Sequence, residues 1–507
     1  MSLRFRVDGR EVAVEDDGAS LLEVLRDRLG LRSPKDGCAP QGQCGCCTVL
    51  VDGQARVACV TPARRVAGRT VTTLDGFPEA ERRAWADAFT AAGGSQCGFC
   101  TPGIVVRLAA LKASGGGDVD TALLAHLCRC TGWLGVKEAF AAATRPGAAP
   151  APARDLDAAR RRAALEGGAA QDVGPHVALG RGGFADDTSP PDALVAVPDG
   201  RGGWAVGETL AEARARAGKV QGRRSTLALS HPLECPPGDW AVTLRTTWVE
   251  PAYLEPDASW CEPGGEPASP LANGGAFGGK VASLAPGAAR RLADQHGRPV
   301  RVLLSREDVV RLGPKRPPVA AGVRPDGSGV VRVARTPGVA EAVAAVAPGL
   351  VVEEVDVAGP PTSAAVRAAG WAEAAVLAAA VRGDAAVTAP SGGRAEAEVA
   401  DGGGIRVRVE CGDPLDEVVL RSYCVGAAHM ALGWVRTEGI AVDPAGVPRD
   451  LTIRSFGILR ARDMPGVEVE VIASGGPPVA VSDAVFAAVA AAAWRADGYP
   501  PEWPTRR

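Results

Sequence analysis

GCAPQGQCGCCTVLVDGQARVACV, residues 37–60, decides how the front of this chain is read. Three of its cysteines, Cys38, Cys44 and Cys47, share one loop, and Cys59 closes the hairpin that follows. Each iron of a [2Fe–2S] rhomb takes two protein sulfurs, so these four thiolates suffice for one cluster. Gly37, Gly42 and Gly45 let such a loop curl around an inorganic core with backbone N–H groups facing the sulfides. The competing reading is zinc, which prefers paired CxxC knuckles around a tetrahedron and fits this three-plus-one layout poorly. Cys46 lies between two ligands and reads as a small buried residue.

Working outward, Leu3, Phe5 and Val7 alternate up to Asp8-Gly9, and Val12 and Val14 alternate after it, predicting a hairpin. Ser20 and Glu23 form a capping box opening the helix LLEVLRDRLG, which Gly30 closes. TVLV, Asp52-Gly53 and ARVACV predict a second hairpin. Further on comes a second set of four: Cys97 and Cys100 in QCGFC, and Cys128 and Cys130 in LCRC. Thr101 is expected to cap a helix with Pro102 at its first position and a stripe of Ile104, Val105, Leu108 and Leu111. The helix N-terminus suits an anionic cluster beside Cys97 and Cys100. An irregular turn must gather Cys128 and Cys130, and Gly132 is placed for it. On spacing alone zinc remains an alternative here. His126 reads as a packed or solvated residue rather than a ligand.

With these motifs in hand, the chain resembles the xanthine dehydrogenase/aldehyde oxidase family of molybdenum hydroxylases. The first run is similar to that family's plant-type ferredoxin domain, with five residues instead of the usual four between Cys38 and Cys44. QCGFCTPG followed by CRCTG is similar to its all-helical [2Fe–2S] domain. The resemblance implies an α+β multidomain fold. A β-grasp ferredoxin domain spans 1–78 and an all-helical [2Fe–2S] bundle spans 79–145. A linker over 146–170 follows, marked by TRPGAAPAPARDLD, and then a shortened, mixed α+β molybdopterin-binding-like region over 171–507. It also implies that electrons enter at the second cluster and leave through the first.

Within the remainder, ANGGAFGGK (272–280) is like the family's glycine-rich loop, which makes Gly274, Gly275, Phe277, Gly278 and Gly279 candidate molybdopterin contacts. The plain alternative is a glycine turn packed tightly on its neighbours. As a phosphate-loop look-alike it fails, because Val281 stands where the magnesium-binding Ser or Thr belongs. GRPVRVLLSREDVV (297–310), with Lys315 and Arg316, looks like the stretch that follows that loop in the family, VRAAGWAEAAV (366–376) and residues 426–472 carry weaker resemblance, and the family's middle is expected to be missing between about Arg382 and Gly412. The family's catalytic base is a Glu near the C-terminus, but no Glu occurs between Glu470 and Glu502. Loss of such a base costs about 10²–10⁴ in rate. Asp483 is the nearest stand-in, and no catalytic residue is assigned.

The expectation is therefore an iron–sulfur electron-transfer component with two [2Fe–2S] clusters, oxidoreductase in class. Separate molybdopterin-binding and FAD-binding subunits are its expected partners. A self-sufficient small molybdenum hydroxylase of a purine, N-heterocycle or aldehyde is the second reading. A zinc-stapled, non-redox interaction protein is the third. Net charge is −3, which gives no case for nucleic acid. No run of 18 or more apolar residues argues for a membrane span. The start, MSLRFRVDGREV, has no apolar core or cleavage site, so no signal peptide is expected. Thirteen cysteines with CxxC spacing suggest a reducing, cytoplasmic setting. Cys235, Cys261, Cys411 and Cys424 are scattered, as are His176, His231, His296 and His429, and none has ligand spacing.

Overall fold

The computed structural model describes residues 2–145, 153–218 and 225–506. The front sheet runs in the order Arg10–Glu15, Ser2–Val7, Thr70–Thr72, Thr48–Val51, Gln54–Val57. Its two central strands, Ser2–Val7 and Thr70–Thr72, are parallel, which is the β-grasp arrangement. Both predicted hairpins form, because Asp8-Gly9 (φ 48° and 81°) and Asp52-Gly53 (φ 47° and 76°) supply the paired positive φ of a two-residue turn. Phe5, Val7, Leu21, Leu25, Val49 and Val71 close a small core beneath the sheet.

The helix over LLEVLRDRLG is irregular. One turn, Leu21–Glu23, passes into a five-residue π-turn, Val24–Arg28. The Ser20 hydroxyl accepts from the Glu23 N–H (3.2 Å), while the Glu23 carboxylate turns to Arg28 instead of closing the capping box.

Behind the sheet lie the helices Glu79–Ala91, Thr101–Ala113 and Leu134–Thr144, packed through Trp85, Phe89, Val136 and Ala139. The second of these starts one residue earlier than expected. Cys100 occupies the cap, Thr101 opens the helix and Pro102 follows.

Residues 146–170 are not simply a linker. Residues 146–152 lie outside the described residues, but Leu156–Gly167 is a helix capped by Asp155 and ended by Gly168 at φ 65°. Its buried Arg162 binds Glu166 (3.0 Å) and the carbonyls of Asp413, Pro414 and Val479, so the segment is tied into the fold by a buried charge.

Among the described residues the remainder holds three four-stranded sheets. One runs Trp204–Gly207, Leu194–Pro198, Val300–Leu303, Ala258–Cys261, and a second runs Leu350–Val355, Gly329–Ala334, Val319–Val323, Val242–Arg245. In the third, Ala386–Thr388, Arg394–Val399 and Ile405–Glu410 form a tight meander joined by Val467–Val471. Against it pack Ser482–Ala496 and Glu417–Arg436. The latter helix is long and apolar enough to cross a membrane, but 89% of its apolar window is buried inside the fold. It is a core helix.

Front and remainder meet over charge as well as apolar surface. Arg26 binds Asp186 (2.6 Å) and Asp187 (2.9 Å), Lys35 binds Asp187, and Arg301 binds Asp186 (3.1 Å) and Asp27 (3.2 Å).

Candidate metal centres

Each predicted set of cysteines is brought together. In the first set Cys38, Cys44, Cys47 and Cys59 are all buried. The N–H groups of Gln43 and Cys44 point at the Cys38 sulfur (3.4 and 3.3 Å), and that of Cys59 points at the Cys47 sulfur (3.4 Å). Cys38 is in hydrogen-bond contact with the thiols of Cys44 and Cys59, which hold it well below the ordinary thiol range. Cys44 and Cys59 are pushed up in turn, chiefly by their contact with Cys38.

The loop glycines explain how the chain gets there. Gly42 and Gly45 sit at φ 67° and 74°, and a Cβ on Gly45 would lie 2.5 Å from the His126 ring. A Cβ on Gly37 would stand 3.0 Å from the Cys44 sulfur. Gln41, within the lengthened part of the loop, binds Glu307 (2.7 Å), the Leu451 carbonyl (3.1 Å) and the Ile453 N–H (3.1 Å). The extra residue is thus part of a loop pinned to the far half of the chain.

In the second set the sulfurs of Cys97 and Cys130 are 3.7 Å apart, and Cys100 faces Cys128. Contact with Cys100, with help from the Thr131 hydroxyl at 3.2 Å, lowers the Cys128 thiol to about 6. The irregular turn expected after Cys130 forms at Gly132 (φ 56°) and continues through Trp133 (φ 72°). Among the described residues no group of three or more His, Cys, Asp or Glu side chains is arranged to hold a single metal ion. The sulfurs of the second set lie in facing pairs, Cys97 with Cys130 and Cys100 with Cys128, and in the first set Cys38 touches Cys44 and Cys59, which in turn touches Cys47. Two thiolates per iron, with backbone N–H groups aimed at sulfur, is a donor set that fits a [2Fe–2S] group.

The two sets stand back to back. The N–H of Leu127, next to Cys128, donates to the Cys44 carbonyl (2.9 Å). His126 is buried as expected of a packed residue, with its ring nitrogen 3.0 Å from the Thr48 hydroxyl, and burial lowers it to about 3. Cys46 is fully buried beside Cys44. The scattered Cys261, Cys411 and Cys424 are buried too, while Cys235 is half-buried.

A cavity of about 290 Å³ opens on Cys97, Cys100 and Cys130 and is walled by Gly274, Gly275, Phe277 and Gly278. The loop departs from expectation in what its glycines do. A Cβ would fall 1.9 Å from the Gly167 carbonyl at Gly275, 1.6 Å from the Ala365 carbonyl at Gly278 and 2.5 Å from the Tyr253 ring at Gly279. These three serve close packing, and Gly279 is not part of the cavity wall. The N–H groups of Gly274, Gly278 and Gly279 are turned to carbonyls of the protein, so they do not cradle an anion. Phe277 sits at φ 55° with Arg367 above its ring.

The wall has three cations, and each already has a carboxylate: Lys280 with Glu255 (2.6 Å), Arg367 with Asp483 (2.8 Å) and Arg129 with Glu438 (2.5 Å). A phosphate-bearing molybdopterin finds each of these three cations already paired with a carboxylate, which disfavours it. Asp483, engaged by Arg367, is not a free base.

Sequence reasoning missed Arg129, Glu438, Asn273 and Gln96. Arg129, between two cysteines, was in plain view. Its partner was not, since Glu438 lies 309 residues away.

Fold and sulfur geometry together define a two-cluster redox protein. Comparison with known proteins agrees. Residues 5–67 match the 2Fe-2S iron-sulfur cluster binding domain, and residues 73–141 match the [2Fe-2S] binding domain. The xanthine dehydrogenase iron-sulfur-binding subunit of Escherichia coli O157:H7 is 38% identical over 123 residues, which is 23% of this chain and 76% of that one. The nicotinate dehydrogenase small FeS subunit of Eubacterium barkeri is 33% identical over 144 residues, covering 27% and 90%. The aldehyde oxidoreductase of Megalodesulfovibrio gigas is 38% identical over 164 residues, of which this chain spans only 18% of the relative's length. In fold, the solved aldehyde oxidoreductase from Desulfovibrio gigas superposes with a TM-score of 0.70 at 14% identity, covering 97% of each chain.

The chain belongs to the xanthine dehydrogenase/aldehyde oxidase family of molybdenum hydroxylases. It is an oxidoreductase and a [2Fe–2S] component of such an enzyme, with two cluster-binding domains.

Proposed function

We propose that this chain carries electrons between subunits and does not itself hydroxylate a substrate. In this reading Cys38, Cys44, Cys47 and Cys59 hold the first cluster, and Cys97, Cys100, Cys128 and Cys130 hold the second. Each cluster, when bound, takes up and releases one electron at a time. Electrons arrive at the second set from a molybdenum centre on a partner chain and leave through the first set to a flavin subunit. The observation that carries the reading is the hydrogen bond from the Leu127 N–H to the Cys44 carbonyl (2.9 Å). It joins a ligand of one set to the neighbour of a ligand of the other.

The remainder serves as the frame that fixes both ligand loops and as the face offered to the partner subunits. Its cavity cations Lys280, Arg367 and Arg129 are each paired with a carboxylate, which disfavours hydroxylation by this chain alone. A cytoplasmic location is part of the same proposal, since thiolate ligands need a reducing compartment.

The test is metal and sulfide content of the chain purified without air from its own host. About four irons per chain, matching sulfide and no molybdenum are expected. Stoichiometric molybdenum would overturn the electron-carrier reading, and zinc in place of iron would overturn the ligand assignment.

A further inference from the structure

The second set is gripped in large part from outside its own domain. Gln96 donates to the Cys130 carbonyl (2.9 Å) and to Ser422 (3.0 Å), while Arg129 is clamped by Glu438. The third grip is Asn273. Its Nδ2 donates to the carbonyl of Cys97 (2.8 Å), and its Oδ1 accepts from the Asp172 N–H (2.8 Å), which settles which end of the amide faces the cysteine.

Asn273 is 5% exposed and is the residue that leads into the glycine-rich loop. The loop behind it has no slack, because Gly275 and Gly278 touch backbone carbonyls where a Cβ could not fit. A rigid cavity wall therefore ends in a side chain bonded directly to a ligand residue of the second set.

We infer that Asn273 is a positioning residue that couples the glycine-rich loop to the second cluster, fixing the Cys97 carbonyl and so setting that cluster's reduction potential. The inference rests on the ligand assignment proposed above. A cluster gains negative charge on reduction, and hydrogen bonds and dipoles around its ligands set how readily it does so. The amide donor neutralises the negative end of the Cys97 carbonyl dipole. Without it the carbonyl is left unsatisfied in a buried place and the ligand turn loses its register.

The experiment compares Asn273→Leu and Asn273→Asp with the unaltered full-length chain in redox titrations followed by EPR. Cys100→Ser identifies which signal belongs to the second cluster. The second-cluster midpoint is expected to fall in Asn273→Leu and further in Asn273→Asp, which adds a negative charge, with altered g-values for that signal alone. The first cluster, read in the same sample, serves as the reference and stays unchanged. An unmoved second-cluster midpoint in the Asp variant, or equal shifts of both clusters, would overturn the inference. Should Asn273→Leu lose iron, the isosteric Asp variant decides. Absence of cluster signals from the unaltered chain would sink the ligand assignment instead, so the two failures are told apart.

Discussion

The two sets of cysteines solve one problem in different ways. In the first, the N–H groups aimed at sulfur come from its own loop and hairpin, at Gln43, Cys44 and Cys59. In the second, the carbonyls of Cys97 and Cys130 are taken by Asn273 and by Gln96 backed by Ser422, while Arg129 between the sulfurs is neutralised by Glu438. A short loop with several glycines can fold its amides onto sulfur locally. The second set also turns the amides of Cys130 and Thr131 onto the Cys128 sulfur, but its carbonyls and its arginine take their partners from further along the chain.

The largest effect that tests the contrast is removal of a ligand. Cys100→Ser should abolish one of two EPR signals and lower iron by about half. If Cys38→Ser and Cys100→Ser removed the same signal, the division into two sets would fail.

Next comes Glu438→Gln, which strands the buried Arg129 charge. Breaking a buried pair this way costs about 3–5 kcal/mol. Thermal unfolding should drop sharply, with the second cluster lost before the first. Equal loss of both would show that the two sets share one support.

The smallest effect lies at the seam between the front and the remainder. Burial opposes ionisation of Asp186, but Arg26 and Arg301 outweigh it and hold the carboxyl well below its ordinary value. A depressed carboxylate contributes stability that is fully present above its unfolded value near 4 and drains away as pH falls through the folded value. Asp186→Asn should lower stability at neutral pH and flatten its decline in acid. An acid limb as steep as that of the unaltered chain would show that the seam is not electrostatic.

How much of this was written in the sequence follows from how local each feature is. Asp8-Gly9 and Asp52-Gly53 dictate their turns within two residues, and the cysteine spacing dictates its loop, so both hairpins and the gathering of each set of cysteines were legible. The π-turn at Val24–Arg28 was not, since the capping signal at Ser20 and Glu23 reads the same for a regular helix. Leu156–Gly167 had its signals, Asp155 before it and Gly168 after it, but the Pro/Ala run ahead of them read as linker. The glycines of 274–279 look alike for binding an anion and for packing against a carbonyl, and only the neighbours Gly167, Ala365 and Tyr253 decide between them. The partnerships of Arg129 with Glu438 and of Cys97 with Asn273 depend on tertiary proximity that no spacing encodes.

The Arg129–Glu438 clamp also sets a schedule for biosynthesis. The two residues are 309 positions apart, and at about 5–20 residues per second a ribosome takes roughly 15–60 s to travel from one codon to the other. Through that interval the second turn waits with an uncompensated arginine, and the first loop waits as well, because Gln41 takes partners at Leu451 and Ile453. Both sets thus gain their final support only once the far half of the chain has been made.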